Sequence, residues 1–188
     1  MEFRTFEVGG LLEIVPGRIV DDRGYFSETF RLDRFRDRAG AADFVQENQS
    51  LSLRTGTIRG IHFQSHPAAQ GKLVRCLSGS IFDVAVDLRR GSRTFGRWVA
   101  VTLTPEQGNQ LWIPIGFGHA FCTLQPNSII SYRVTSYYSG EHDKGVAWND
   151  PELGIEWPNL ADPATLSAKD RQQPALSELP AYFEMEEL

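Results

Sequence analysis

Residues 56–79 read GTIRGIHFQSHPAAQGKLVRCLSG, and residues 108–119 read GNQLWIPIGFGH. The second segment has a defined spacing: Gly108, five residues, a Pro-x-Gly turn beginning at Pro114, two more residues and then His119. The first segment opens in a similar way, because Gly56 is followed after five residues by His62. Each segment therefore leads from a glycine through a short apolar run to a histidine.

Both spacings resemble those of cupin-type β-barrel metalloproteins, in which such segments present metal ligands. By that resemblance His62 and His119 stand at ligand positions. Two other ligand positions hold the wrong residues for a metal, because Gln64 replaces a histidine and Lys72 stands about where a carboxylate belongs. A protonated lysine would carry the positive charge itself. The sequence thus predicts a proton-transfer centre without a bound metal, in which His62 acts as a base.

Hydrophobic residues recur at every second position in several segments, the period of a strand with one buried face. In one of them the alternation pairs Phe82, Val84, Val86 and Leu88 with Asp83, Ala85 and Asp87. Residues 98–103 and 130–134 alternate in the same way. Turn-forming residues separate the segments at short intervals, as in a sandwich or barrel. We therefore predict a mainly β fold, a cupin jelly-roll sandwich or barrel with half-buried strands and a few short helices.

The chain is expected to form a single domain over residues 1–188. About residues 1–50 would supply N-terminal strands and a helix, residues 51–158 the jelly-roll barrel, and residues 159–188 a C-terminal arm. The helix is predicted at Leu32–Ala39, closed by Gly40, and a second short helix near Ala168–Gln172. Prolines after residue 158 interrupt the strand pattern, so the arm should wrap over the barrel.

The amino-acid composition and the length of the apolar runs argue against several classes of function. The 188 residues are 41% hydrophobic and 23% charged, as in an ordinary globular domain. No apolar run is long enough for a membrane span, and the N-terminus does not resemble a signal peptide, so we expect a cytoplasmic protein without a membrane partner. The net charge of −5 argues against nonspecific nucleic-acid binding. Cys76 and Cys122 fit two buried thiols better than a disulfide.

Nine motifs in order along the chain resemble those of the dTDP-4-dehydrorhamnose 3,5-epimerase family. They are DDRGYFSETF (21–30), FVQENQS (44–50), RGIHFQ (59–64), AQGKLVRC (69–76), DVAVDLRRGSRTFG (83–96), QLWIPIGFGHAF (110–121), YRVTSYY (132–138), WNDP (148–151) and LSAKD (166–170). The resemblance implies a cytoplasmic isomerase of nucleotide-sugar metabolism, built on a cupin jelly roll, that serves dTDP-L-rhamnose and cell-surface polysaccharide synthesis. Its substrate would be dTDP-4-keto-6-deoxy-D-glucose, inverted at C3 and C5 to dTDP-4-keto-L-rhamnose.

The resemblance also implies four catalytic residues and no cofactor. A ketone at C4 acidifies the protons on C3 and C5, so the reaction needs a base, a stabiliser for the enolate oxygen and an acid on the opposite face. His62 matches the base, and Asp170 matches the carboxylate behind it. Lys72 fits the enolate stabiliser, and Tyr132 fits the acid that returns the proton.

Substrate binding would draw on further positions that match the family's motifs. These are Arg23, Phe26, Glu28, Gln46, Glu47, Asn48, Arg59, Lys72, His119, Tyr138, Asp143 and Lys169. The family resemblance implies that the segment with Arg23, Phe26 and Glu28 crosses to a neighbouring subunit, so a homodimer with a shared active site is expected. In a regular strand Arg59 and His62 would face opposite sides. A bulge at Gly60 is therefore predicted to bring both side chains to the ligand.

Three alternatives stay open from the sequence. A relative that epimerises only C3 or C5, or acts on another nucleotide sugar of a deoxysugar pathway, would share most of these motifs. A metal-dependent cupin would hold a transition metal with His62, His119 and Gln64. A non-catalytic sugar-binding module would keep the barrel but would not need both a base and an acid.

Overall fold

The computed structural model describes residues 1–185; residues 186–188, the end of the predicted arm, lie outside the described part. Its strands are β1 (Glu2–Thr5), β2 (Leu12–Val15), β3 (Ile19–Asp21), β4 (Gly24–Phe26), β5 (Gln46–Ser52), β6 (Ile58–Gln64), β7 (Lys72–Ser78), β8 (Ile81–Asp87), β9 (Trp98–Leu103), β10 (Gln110–Ile113), β11 (Phe117–Thr123), β12 (Ser128–Val134) and β13 (Asp143–Gly145). Helix α1 spans Leu32–Ala39, and short 3₁₀ turns occupy Pro163–Thr165, Asp170–Gln172 and Leu176–Glu178. None of the helices in residues 1–185 has the length and apolar character needed to cross a membrane.

Two antiparallel sheets form the body of the fold. One has the strand order β1-β2-β10-β7-β12-β5 and the other the order β13-β6-β11-β8-β9, while β3 and β4 form a separate hairpin. A hydrophobic cluster draws on both sheets, with Val74 and Leu111 from the six-stranded sheet and Ala85 and Phe121 from the five-stranded sheet. The two sheets therefore share one core, and the predicted mainly β, cupin-like sandwich is confirmed.

Strand β8 departs from the sequence prediction because both of its faces are buried. Val84 and Val86 pack on the outer face against the C-terminal arm, where Leu176 and Phe183 contact the same cluster. On the inner face Asp83 is fully buried. The prediction of a half-buried strand is wrong here, since the arm takes the place of solvent. The polar residues of this strand consequently lie inside the protein.

Helix α1 forms at its predicted position and covers the outer face of the six-stranded sheet. Phe35 is its buried residue, and its ring contacts Phe44 and Trp112 at centroid distances of 5.2 and 5.0 Å. Gly40 has a φ of 80°, and its N–H donates to the carbonyl of Arg36 at 3.0 Å. A glycine adopts this left-handed conformation at little cost, so the helix ends there.

A bulge interrupts β6 where the sequence predicts one. Between Arg59 and His62 the register against β11 shifts, so β6 has one residue more than its partner strand. Gly60 lies in this bulge with a φ of 120°, and a Cβ atom on it would come 2.5 Å from the Cβ of Ala120. Only glycine fits such a close approach between strands. The extra residue removes the strict alternation that would separate Arg59 from His62.

The C-terminal arm lies over the five-stranded sheet, as predicted. Its apolar residues Leu176, Leu179 and Phe183 are buried there, and Phe183 stacks edge-on against Phe63 at 5.6 Å. The predicted second helix is the 3₁₀ turn Asp170–Gln172. The arm thus brings a carboxylate from the end of the chain to the strand that carries His62.

Candidate active site

His62 and Asp170 form a close pair between β6 and the arm. His62 Nε2 lies 2.5 Å from Asp170 Oδ1, and the carboxylate is only 4% exposed. Burial alone would raise the pKa of Asp170, but the hydrogen bond and charge of His62, together with Ser167, outweigh it and hold that pKa below its usual value. Asp170 is therefore ionised and accepts a hydrogen bond from the Nε2–H of His62. His62 Nδ1 then carries the lone pair that can take a proton.

Lys72 places an ammonium group beside this pair. It begins β7, its side chain is 9% exposed, and its Nζ donates to the backbone oxygen of His62 at 3.3 Å. Burial lowers the pKa of Lys72 to about 8, a shift that the carboxylates of Asp143 and Asp83 oppose and that Lys169 increases. A poorly hydrated cation with two nearby carboxylates is well suited to stabilise a developing oxyanion.

His119 and Asp83 form a second imidazole–carboxylate pair. His119 lies directly opposite His62 in the register of β11 and β6, and its Nε2 is 2.8 Å from Asp83 Oδ1. Both side chains are buried, and within residues 1–185 the second oxygen of Asp83 has no hydrogen-bond partner. The charge of Asp83 raises the pKa of Lys72, so this pair belongs to the electrostatics of the same site.

Tyr132 approaches from the other sheet. It lies on β12 opposite Asn48 of β5 and packs against the cluster between the sheets. Burial raises the pKa of Tyr132, and the charge of Arg59 opposes part of that rise. The phenol therefore keeps its proton at neutral pH. His62 belongs to the five-stranded sheet and Tyr132 to the six-stranded sheet, so the two groups face the space between them from opposite sides.

Three more of the sequence-predicted residues meet at the edge of this cluster. Lys169 Nζ lies 2.5 Å from Asp143 Oδ2, and the Tyr138 hydroxyl donates to the same oxygen at 3.1 Å. The charge of Asp143 and this hydrogen bond raise the pKa of Tyr138. Gln46 is linked to the group, because its Oε1 accepts from the Tyr138 N–H at 3.1 Å and its Nε2 donates to Asn48 at 2.8 Å.

Four predicted residues lie apart from the cluster. Arg23, Phe26 and Glu28 belong to or follow the β3–β4 hairpin, are solvent-exposed, and form no hydrogen bond or ion pair with the cluster within the described chain; Arg23 pairs with Asp21 instead. Glu47 alternates to the opposite face of β5 from Gln46, where its carboxylate accepts from Ser131 Oγ and pairs with Arg133. The structure thus brings together most of the predicted set, but not these four.

The donor set does not suit the metal-dependent alternative. The Nε2 atoms of His62 and His119 are both hydrogen-bonded to carboxylates, and the amide of Gln64 is occupied by backbone groups. Across residues 1–185, no group of three or more His, Cys, Asp or Glu side chains has the arrangement of a metal site. Lys72 adds a positive charge to the same pocket, which would repel a cation.

Sequence reasoning missed the place of Asp83. Its alternation with Phe82, Val84 and Val86 made it look like part of a solvated face. One signal was present: the residues between the hydrophobic ones are two aspartates and an alanine, without the long charged side chains typical of an exposed strand face.

Comparison with known proteins supports one family. The sequence profile of the dTDP-4-dehydrorhamnose 3,5-epimerase family matches residues 5–178. A dTDP-4-dehydrorhamnose 3,5-epimerase of Sinorhizobium fredii is 50% identical over 184 residues, which cover 98% of this chain and 94% of that protein.

Solved structures agree in fold over nearly the whole chain. An epimerase of Mycobacterium tuberculosis superposes with a TM-score of 0.94 at 37% identity, covering 100% of this chain and 96% of the other. A dTDP-6-deoxy-D-glucose-3,5-epimerase of Legionella pneumophila, solved in complex with dTDP-4-keto-L-rhamnose, superposes with a TM-score of 0.89 at 40% identity, covering 96% and 95% of the two chains.

Proposed function

Because this chain belongs to the dTDP-4-dehydrorhamnose 3,5-epimerase family, a family of isomerases, we propose that it converts dTDP-4-keto-6-deoxy-D-glucose to dTDP-4-keto-L-rhamnose in dTDP-L-rhamnose biosynthesis. The single observation that supports the mechanism best is the pairing of His62 with the buried carboxylate of Asp170, beside Lys72. It supplies a base with a carboxylate behind it and a cation for the anion that the base creates. A binding module would not need this arrangement.

The base in this proposal is His62 Nδ1. Asp170 holds the proton on Nε2, so the lone pair of Nδ1 is directed away from the carboxylate and toward the substrate. When Nδ1 takes a proton from C3 or C5, the imidazole becomes a cation, and the carboxylate at 2.5 Å stabilises it. Because His62 is about one third exposed, with 32% of its side chain accessible, the substrate can reach it.

Lys72 stabilises the enolate. The C4 oxygen gains negative charge as the proton leaves, and a buried ammonium group interacts with that charge far more strongly than water does. With a pKa of about 8, roughly nine in ten Lys72 side chains carry the charge at pH 7. Asp83 and Asp143 maintain this protonation against the cost of burial, since their charges raise the pKa.

Tyr132 returns the proton from the opposite face. Its raised pKa keeps the phenol protonated, and its position on the sheet opposite His62 lets it approach the other side of a sugar ring bound between the sheets. Removal of a proton on one face and delivery on the other inverts the carbon. The same pair of groups serves C3 and C5 in turn, because both carbons neighbour the C4 ketone.

The binding set of this proposal joins two subunits. Gln46, Asn48, Arg59, His119, Tyr138, Asp143 and Lys169 bind the nucleotide sugar within one chain, while Arg23, Phe26 and Glu28 reach into the site of a second copy. Two observations support this. The hairpin residues Ile19, Val20 and Phe26 are each at least 69% exposed, which is unusual for such apolar side chains. Strand β5 ends its sheet and leaves an edge for another chain.

The proposal has three further parts, which concern the cofactor, the cellular setting and Glu47. Acid–base epimerisation transfers only protons, so the enzyme needs no cofactor. A single domain, a cytoplasmic location and a role in cell-surface polysaccharide stay predictions from the sequence. Glu47 has no role in this proposal, because its carboxylate lies on the outer face of β5 with Ser131 and Arg133.

The experiment that tests the function is incubation with dTDP-4-keto-6-deoxy-D-glucose in deuterated water, followed by NMR at each carbon. We expect deuterium at both C3 and C5 and the appearance of the L-rhamno configuration. Incorporation at only one carbon would support a monoepimerase, and no incorporation at either carbon would contradict the proposed chemistry.

A further inference from the structure

Gln64 uses its whole amide group on backbone atoms of two loops. It ends β6, two residues after His62, and its side chain is 4% exposed. Its Nε2 donates to the carbonyl oxygens of Ala68 at 2.6 Å and Tyr137 at 3.1 Å, and its Oε1 accepts from the N–H of Ser139 at 2.8 Å. One side chain therefore links the loop after β6 to the segment between β12 and β13.

Tyr138 lies between Tyr137 and Ser139, the two residues of that segment that Gln64 contacts. It is one of the proposed substrate contacts. Its side chain is exposed, at 64%, so packing does little to fix it. The irregular backbone on either side of it is held by the amide of Gln64, and its own N–H by the amide of Gln46. Its hydroxyl then meets Asp143. The position of the ring thus depends on hydrogen bonds to its backbone.

We propose that Gln64 is a positioning residue for substrate binding: it fixes residues 137–139 so that Tyr138 is held in place at the mouth of the site before the substrate arrives. This inference rests on the proposed role of Tyr138 as a substrate contact. A preordered binding segment loses less conformational entropy when the ligand binds, so the benefit appears in affinity.

The chemistry of the amide explains why glutamine occupies this position. An amide has two N–H donors and a carbonyl acceptor. In the structure the amide nitrogen of Gln64 donates hydrogen bonds and its carbonyl oxygen accepts one. A neutral histidine has one donor and one acceptor, and would leave one of the three backbone groups without its partner. A glutamate could accept from Ser139, but its carboxylate would face the carbonyl oxygens of Ala68 and Tyr137. Neither residue reproduces the link.

The test is Gln64→Met, which keeps the length of the side chain and removes its polar atoms. We expect KM for the dTDP-ketosugar and Kd for dTDP alone to rise about tenfold, with kcat within about twofold of wild type. Without any ligand, hydrogen exchange at the Ser139 amide should become faster. If the methionine variant does not fold, Gln64→His, which keeps one donor and one acceptor, should show the same shifts in smaller size.

A matched control separates positioning from stability. Asn109 is buried at 1%, and its amide also makes three hydrogen bonds, to Glu13, Thr102 and Thr104, none of them with a member of the proposed site. Asn109→Leu should lower the melting temperature as Gln64→Met does, but it should leave KM, Kd and the exchange of Ser139 unchanged.

A double variant shows whether Gln64 acts through Tyr138. If it does, KM should rise little further when Gln64→Met is added to a protein that already carries Tyr138→Ala. Fully additive effects would overturn the inference, as would a folded Gln64 variant with wild-type KM, Kd and Ser139 exchange. These outcomes differ from failure of the proposed function, which would show as a wild-type protein that neither binds dTDP nor exchanges the sugar protons. Ser139 exchange would then still report whether Gln64 orders the segment.

Discussion

Asp170 Oδ1 lies 2.5 Å from His62 Nε2, although 108 residues separate the two in sequence. The contact joins the C-terminal arm to the bulged strand β6. It depends on the burial of Leu176, Leu179 and Phe183, which hold the arm on the outer face of the same sheet. The apolar packing of the arm and the chemistry of the site are therefore coupled.

Substitution of Asp170 by Asn should slow catalysis without weakening binding. The neutral amide cannot stabilise an imidazolium and does not enforce the Nε2-protonated form, so kcat should fall by roughly 10²- to 10⁴-fold. KM should change little, because Asp170 lies behind His62 and is 4% exposed. Steady-state kinetics measure both constants.

Asp162→Asn is the matched control in the same arm. Asp162 accepts from the N–H of Ala164 at 2.9 Å and so caps the first 3₁₀ turn. Its substitution should cost some stability and leave kcat near that of wild type. Equal losses of kcat in the two variants would mean that Asp170 acts only by holding the arm.

The alkaline limb of the pH–rate profile should reflect the deprotonation of Lys72. Its pKa is lowered to about 8 by burial, so the protonated form, and with it the activity, should be lost as the pH rises through about 8. The groups that act on it are Asp143 of β13 and Asp83 of β8, which raise the pKa, and Lys169 of the arm, which lowers it. The backbone carbonyl of His62, on β6, also accepts a hydrogen bond from Lys72 Nζ.

Asp83→Asn should move this limb to lower pH. Loss of the carboxylate removes one of the charges that raise the pKa of Lys72, so deprotonation should begin earlier, by up to about one pH unit. Asp87→Asn is the control on the same strand, since Asp87 pairs with Arg89 and should affect stability alone. An unmoved limb in Asp83→Asn, with activity retained, would remove Asp83 from the electrostatics of the site.

Activity should survive exhaustive chelation. The histidine Nε2 atoms pair with carboxylates, Gln64 bonds to the backbone, and Lys72 supplies the positive charge. Enzyme treated with EDTA and dialysed should therefore keep its full rate in the same assay. Full loss of activity that one added metal restores would contradict this mechanism.

A mixture of two inactive variants should regain activity if the site is shared. In a dimer of Arg23→Ala and His62→Ala chains, one site would have both defects and the other would have neither. Random reassociation should then restore about one quarter of the wild-type rate. Native mass spectrometry checks that mixed dimers have formed. If they form but remain inactive, Arg23 serves its own chain and the shared site is wrong.

Much of the fold is encoded in local patterns. The alternation in residues 98–103 predicts β9 with its observed bounds, and the helix predicted at Leu32–Ala39, closed by Gly40, is α1. The bulge at Gly60 follows from the need to bring Arg59 and His62 together, and the register shift confirms it. Each of these features depends on residues that are close in sequence.

The features that could not be predicted from the sequence depend on contacts between residues that are far apart along the chain. The inner position of Asp83 arises because the arm, almost a hundred residues later, covers the outer face of β8 and buries Val84 and Val86 there. Two of the three hydrogen bonds of Gln64 reach a segment more than seventy residues away. A two-residue period indicates that a strand has two faces, but it does not tell what covers each of them.

The most direct test of the mechanism is a comparison of His62→Ala with Tyr132→Phe in deuterated water. Loss of the base should abolish both deuterium incorporation and epimerisation, with a fall of roughly 10²- to 10⁴-fold. Tyr132→Phe keeps His62 and Lys72, so the enolate can form and be reprotonated from its original face; this variant should incorporate deuterium but invert little of the sugar. Equal loss of incorporation in both variants, or near-normal incorporation in His62→Ala, would contradict the assignment of base and acid to opposite sheets.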